Sequence, residues 1–135
     1  MSYLFVYGTL LKFTESEVTQ FLNRNSQFIS IGSFPGKLYE VSGYPGAIYL
    51  PDESDRVSGN ILEIPSAETV FAVLDLYEEV GDQFPEPNEY IRKQIPVEDN
   101  SGKIFNCWFY EYNWPVENLM QILSGDYAQF RKTLE

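Results

Sequence analysis

Residues 3–10 read Tyr3-Leu4-Phe5-Val6-Tyr7-Gly8-Thr9-Leu10, and the reading of the whole chain starts from them. Tyr3 to Tyr7 is an unbroken run of aromatic and aliphatic side chains. It is too short for an ordinary helix and rich in the residue types that suit a pleated surface. The expectation is a buried strand ended by Gly8. A glycine there lets backbone N–H groups turn toward a ligand without a Cβ in the way. Such groups can hold a carboxylate or a developing oxyanion. A plain strand-to-loop glycine also explains Tyr7-Gly8-Thr9-Leu10, and from these four residues alone it is the preferred reading.

Working outward, the next segment carries a full helix-start signal. Thr14 and Glu17 form a capping box, and Phe13 with Val18 supplies the hydrophobic staple. Val18, Phe21 and Leu22 give that helix one apolar face. Phe28 to Phe34 and Lys37 to Val41 read as two strands separated by Pro35-Gly36, and Gly43 to Gly46 as a turn into a strand Ala47 to Leu50. After the loop Pro51 to Asp55 comes a strand Val57 to Ile64. Pro65-Ser66 then opens a second helix, with Ser66 as cap and Glu68 at the positive end of the dipole. Helical spacing makes Val70, Phe71, Leu74 and Tyr77 its buried side, and Gly81 lies beyond its end.

Asp82 to Glu89 reads as a solvated acidic loop. Tyr90 to Val97 and Ile104 to Tyr112 pair as a hairpin around Asn100-Ser101-Gly102, and the tail carries one or two short helices interrupted at Ser124-Gly125. There is no internal repeat, low-complexity tract or linker, so residues 1–135 are expected to form a single α+β domain.

Composition narrows the chemistry. A net charge of −11, with scattered Lys and Arg, argues against nucleic acid and against an anionic membrane surface. The N-terminal apolar run is too short for a signal peptide or a membrane span. One cysteine, Cys107, excludes an internal disulfide, and the expected location is the cytoplasm. The sequence has no histidine, which removes Ser-His and Cys-His nucleophile pairs and His-containing zinc sites. Acid-base chemistry would fall to Glu, Asp, Tyr or Lys.

Two further segments could carry it. Leu74-Asp75-Leu76-Tyr77-Glu78-Glu79 places two carboxylates at a helix C-terminus, where the dipole disfavours them. A Glu held there among aromatic rings would have a raised pKa and could shuttle protons near neutrality. Two solvated acids in an acidic chain are the plainer alternative. Trp108, Tyr110 and Tyr112 alternate onto one face of their strand, which core packing explains and a substrate wall would also use.

In order and spacing these segments resemble the gamma-glutamylcyclotransferase-like family, which includes avirulence-induced proteins and gamma-glutamylamine cyclotransferases. The resemblance rests on Phe5 to Leu10, on Gly36-Lys37-Leu38-Tyr39 with Tyr44-Pro45-Gly46-Ala47, and on Val57 to Ile64. It continues through Leu74 to Glu78, Tyr90-Ile91-Arg92 and Trp108 to Tyr112, and spans roughly residues 3–127.

The resemblance implies a small mixed β-barrel flanked by short helices, with one substrate cavity. It implies a cofactor-independent transferase that releases 5-oxoproline from a small gamma-glutamyl amine, amino acid or peptide. It places the catalytic Glu, which follows an L-D-x-x stretch, on Glu78, and the substrate loop on Tyr7, Gly8, Thr9 and Leu10. The chain departs from the family in two places. Glu79 stands where many members have Gly, and Leu11-Lys12-Phe13 replaces a Gly- and Asn-bearing segment. Two other functions stay open at this point. One is a non-catalytic module binding a small metabolite on the same fold. The other is an interaction domain using Tyr44, Phe84 or Trp114.

Overall fold

The computed structural model describes residues 2–8 and 17–134. The capping-box Thr14, Phe13, Thr9 and Leu10 lie outside the described residues. Among the described residues, seven strands and three helices follow in the order β1 (Ser2–Val6), α1 (Glu17–Arg24), β2 (Gln27–Glu40), β3 (Pro45–Tyr49), β4 (Arg56–Ile64), α2 (Ala67–Tyr77), β5 (Tyr90–Asp99), β6 (Ile104–Tyr112), β7 (Met120–Gln121) and α3 (Tyr127–Thr133).

Five strands close a barrel in the order β2-β4-β1-β6-β5, with β5 returning to β2 through Gly32↔Asp99 and Ser33↔Glu98. The barrel is mixed: β1 runs parallel to β6, while its other neighbour β4 is antiparallel. Strand alternation sorts each strand into an inner and an outer face. Phe5, Tyr7, Phe34, Val57, Ile61, Val97, Phe105, Cys107 and Phe109 belong to the packed interior cluster. Leu4, Val6, Leu62, Ile64, Tyr110 and Tyr112 face the other way, against Leu22 of α1 and Val70, Phe71 and Leu74 of α2. The mixed barrel with short flanking helices is the architecture expected from sequence.

Three local expectations are corrected. Residues 28–41 are not two strands: β2 runs through Pro35-Gly36 without a break. Those two residues mark a change of partner, because pairing with β4 ends at Pro35↔Arg56 and pairing with β3 begins at Gly36↔Tyr49. Proline is tolerated because it sits where the ladder changes hands, and Gly36 because a Cβ there would lie 2.1 Å from the Ile48 carbonyl oxygen. The first half of the tail is a strand, β7, which pairs with the end of β2 through Tyr39↔Gln121 and Glu40↔Met120. Tyr77 is not on the buried side of α2; it is 44% exposed.

Ser66 is the N-cap of α2, but its hydroxyl donates to Thr69 Oγ1 at 2.8 Å and caps no backbone N–H. Among the described residues, no helix is long and apolar enough to cross a membrane.

Candidate functional site

The site forms where the end of β1, the turn before β3, the end of α2 and the start of β5 meet. Val70 and Leu74 are buried on α2, and Glu78 lies four residues past Leu74, on the same side of the helix. The stripe that seats α2 on the barrel therefore ends in a carboxylate. Glu78 is the C-cap residue, its N–H donating to the Leu74 carbonyl at 2.9 Å.

Glu79 then turns left-handed, with φ of 57°. Its N–H donates to the Leu76 carbonyl at 3.2 Å, and that of Val80 to the Asp75 carbonyl at 2.8 Å. This is the Schellman arrangement, whose left-handed position is usually glycine. The departure noted in the sequence has a structural meaning: a residue with a Cβ occupies a glycine position right after Glu78.

A cavity of about 310 Å³ opens beside this turn. Phe5, Val6, Tyr7 and Gly8 line one wall, Tyr44, Pro45 and Tyr90 another, and Tyr77 to Glu79, Glu89 and Tyr110 the remainder. Of the sequence-predicted residues, Tyr7, Gly8 and Glu78 come together here. Gly8 has a steric reason to be glycine, since a Cβ would meet Pro45 Cγ at 2.6 Å.

Hydrogen bonds fix the rings. The Tyr7 hydroxyl donates to the Tyr110 carbonyl at 2.5 Å and accepts from Ala47 N–H at 3.3 Å. Tyr90 donates to the Pro45 carbonyl at 2.6 Å, and Tyr44 donates to the Glu89 carboxylate. The Tyr110 hydroxyl donates to Asp75 at 2.7 Å. Arg92 grips the same Asp75 with Nε at 3.1 Å and Nη2 at 3.2 Å while lying over the Phe71 ring. Asp75 is one turn before Glu78, so this ion pair ties the C-terminal turn of α2 to β5 and β6.

The electrostatics single out Glu78. Burial pushes its carboxyl from 4.5 up to about 7, and the negative charge of Glu89 pushes the same way. Its carboxylate accepts no hydrogen bond from the described residues. Burial also raises Tyr7, Tyr44, Tyr90 and Tyr110 above the ordinary tyrosine value, so these hydroxyls remain protonated donors near neutrality. Cys107 lies inside the barrel, and burial pushes its thiol up to about 12, which suits a packing residue and not a nucleophile. Among the described residues, no group of three His, Cys, Asp or Glu side chains could hold a metal ion.

Among the lining residues that sequence reasoning did not place at the site are Glu89 and Tyr44. Glu89 was part of a solvated loop and Tyr44 an exposed ring for a partner, yet both turn into the cavity. Their pairing links positions 45 residues apart, which no local pattern reveals. Trp114, also considered for a partner, is 41% exposed and donates its indole N–H to the Pro87 carbonyl at 2.8 Å.

A family described as gamma-glutamyl cyclotransferase, AIG2-like, matches residues 4–129. A Methanocaldococcus jannaschii protein, provisionally named a gamma-glutamylcyclotransferase, is 31% identical, covering 97% of this chain and 99% of its own. A Prochlorococcus marinus protein named ribosomal RNA small subunit methyltransferase G is 28% identical over 93% of this chain, which spans 62% of that relative's length. Among solved structures, an AIG2-like protein of Mus musculus is 25% identical with a TM-score of 0.67, over 93% of this chain and 88% of that one. YkqA of Bacillus subtilis is 24% identical with a TM-score of 0.70, over 99% of this chain and 43% of that one.

Proposed function

The chain belongs to the gamma-glutamyl cyclotransferase, AIG2-like family, and from that premise we propose that it releases 5-oxoproline from a small gamma-glutamyl compound, with Glu78 carrying the protons. The observation behind this reading is Glu78 itself. It is a carboxyl without a hydrogen-bond partner among the described residues, facing a ring-walled cavity and held by burial at a pKa of about 7. A group that exchanges protons near working pH is what an acid-base residue needs.

The reaction demands little else. The substrate's α-amine attacks its own γ-carbonyl and closes a five-membered lactam, so proximity is built into the substrate. Over the whole reaction the α-nitrogen loses two protons and the departing nitrogen gains two. Glu78 takes them one at a time from the first and returns them to the second, a role worth typically about 10²–10⁴-fold. The segment Tyr7 to Leu10 supplies the substrate loop. Gly8 lies against Pro45 at the cavity wall, and the backbone N–H groups of this segment take the α-carboxylate or the oxyanion. The chain acts as one domain, without a cofactor, on a soluble substrate in the cytoplasm.

The test is a 5-oxoproline release assay over gamma-glutamyl amines, gamma-glutamyl amino acids and glutathione. Release from one group identifies the leaving-group class. Binding without release from any of them would make this a metabolite-binding module on the same fold.

A further inference from the structure

Besides Glu78 and the exposed Glu79, the cavity holds a third carboxylate, Glu89, which the proposed reaction leaves unused. It precedes β5, with its carbonyl accepting from Asn113 N–H at 2.7 Å, and its side chain takes the Tyr44 hydroxyl across the cavity. The loop before it is secured at several points. The Asn88 side chain accepts from Gly81 N–H at 2.9 Å and donates to the Gly81 and Pro85 carbonyls, and Asn113 donates to the Asn88 carbonyl at 3.0 Å. Glu89 is thus held on the site by bonds on both its backbone and its carboxylate. A carboxylate has about four acceptor positions, and Tyr44 fills one.

The cavity's other polar side chains among the described residues are the hydroxyls of Tyr7, Tyr90 and Tyr110, which are spent on carbonyls or on Asp75, and the exposed Tyr77 and Glu79. Among the described residues, no Lys or Arg lines the cavity. Glu78 and Glu89 converge on this one cavity, the first without a hydrogen-bond partner among the described residues and the second with acceptor capacity left, and together they are complementary to an ammonium group.

We propose that Glu89, oriented by Tyr44, is a substrate-binding residue that holds the α-nitrogen of the gamma-glutamyl group while Glu78 exchanges its protons. The inference rests on the cyclotransferase reading and adds a division of labour to it. When the α-ammonium gives one proton to Glu78, the amine keeps two N–H bonds. One of them donates to Glu89, which aims the nitrogen lone pair at the γ-carbonyl carbon. The C–N bond of the lactam forms there, and Glu78 returns this first proton to the departing nitrogen. Glu78 then takes the second from the ring nitrogen, and the amide C–N bond breaks with that second proton also passed by Glu78 to the departing amine. Glu89 stays ionised and carries no proton itself.

The arrangement has a second consequence. The charge of Glu89 helps keep Glu78 protonated toward neutrality. The other titratable groups lining the cavity around Glu78 are Tyr7 just past β1, Tyr90 from β5 and Tyr110 from β6, all with raised values, together with Tyr44 and the neighbouring Tyr77 and Glu79. Removing the Glu89 charge should therefore shift Glu78 downward.

The experiment compares wild type, Glu89→Gln and Tyr44→Phe, with the exposed Glu117→Gln as control. Glu78 is titrated by carboxyl-carbon NMR on glutamate-labelled protein, its resonance assigned through Glu78→Gln, and KM and kcat for 5-oxoproline release are measured against pH. Glu89→Gln should raise KM roughly tenfold or more and move both the Glu78 titration and the acid limb of kcat below about 7. Tyr44→Phe should raise KM by a smaller factor, and Glu117→Gln should change nothing. An unchanged KM in Glu89→Gln overturns the proposal, even if the titration moves, because Glu89 would then only tune Glu78. Absence of turnover by the wild-type protein on every substrate rejects the cyclotransferase reading and the substrate role together. The NMR titration then still reports whether the two carboxylates are coupled.

Discussion

At the scale of single residues, Glu78 and Glu79 carry opposite costs. The unfolded chain binds the Glu78 proton with the ordinary value of 4.5 and the folded chain with a value of about 7. Between those pH values the folded state holds more protons, so stability falls as pH rises through the window. The loss is complete above 7 and amounts to at most roughly 3 kcal/mol, at about 1.36 kcal/mol per unit. Glu78→Gln does not titrate. Urea unfolding should show the variant gaining on wild type between pH 4.5 and pH 8. A difference that stays constant across the window would contradict the burial described for Glu78.

Glu79 stores a different strain. A side chain at φ of 57° costs about 1–2 kcal/mol that glycine avoids. Glu79→Gly should raise the urea midpoint by the equivalent of about 1 kcal/mol, less whatever glycine gains in unfolded-state entropy. No change, or a loss, would mean that the turn is held by something other than backbone geometry. In the sequence, the pair Glu78-Glu79 was legible as an anomaly at a helix end. Only the resemblance chose Glu78 over Glu79; in the structure the buried stripe of α2 ends in Glu78, and Glu79 lies exposed at the cavity edge. Counting Tyr77 as buried put the stripe one residue early, because the last turn closes on Glu78 and then reverses.

At the scale of elements, the C-terminal turn of α2 is set by the Asp75–Arg92–Tyr110 connection. Arg92 stacks on Phe71 at 4.1 Å and Trp108 at 5.1 Å while forking onto Asp75. Arg92→Met keeps an apolar stem over the rings and removes the fork, leaving Asp75 part-buried without its counter-charge. The expected cost is about 1–3 kcal/mol, the range for a charged group deprived of its partner. Because the turn that aims Glu78 loosens, kcat should fall several-fold while KM moves little. Equal changes in kcat and KM would point to a disturbed cavity and not to a misaimed carboxyl.

Element identities were largely readable from alternation and helical spacing, and β6 was expected with its observed limits, Ile104 to Tyr112. The failures share one cause. Pro35-Gly36 and the segment around Met120 take their conformation from strand partners distant in sequence. Local propensity sees a proline or a short apolar stretch but not the strand waiting beside it.

At the scale of the molecule, the barrel brings together five segments distant in the chain, at residues 5–8, 44–45, 77–79, 89–90 and 110. Closure of β5 onto β2 and the seating of α2 on the outer faces of β1 and β6 are what make one cavity of them. The mixed barrel could be anticipated only through resemblance, since closure is a property of register that alternation leaves open. Tyr7, Gly8 and Glu78 were named through the resemblance too, and they line one cavity. Glu89 and Tyr44 were not, because a carboxylate in an acidic loop and a tyrosine in a turn carry no signal until the fold sets them face to face.

The central claim is that Glu78 moves the protons of lactam formation. It is tested most directly by 5-oxoproline release from the best gamma-glutamyl substrate by wild type and Glu78→Gln, each shown to be folded by its thermal transition. The account predicts release by wild type with an acid limb near pH 7, and a loss of at least about 10²-fold in the variant. Release by Glu78→Gln at a rate close to wild type would contradict it.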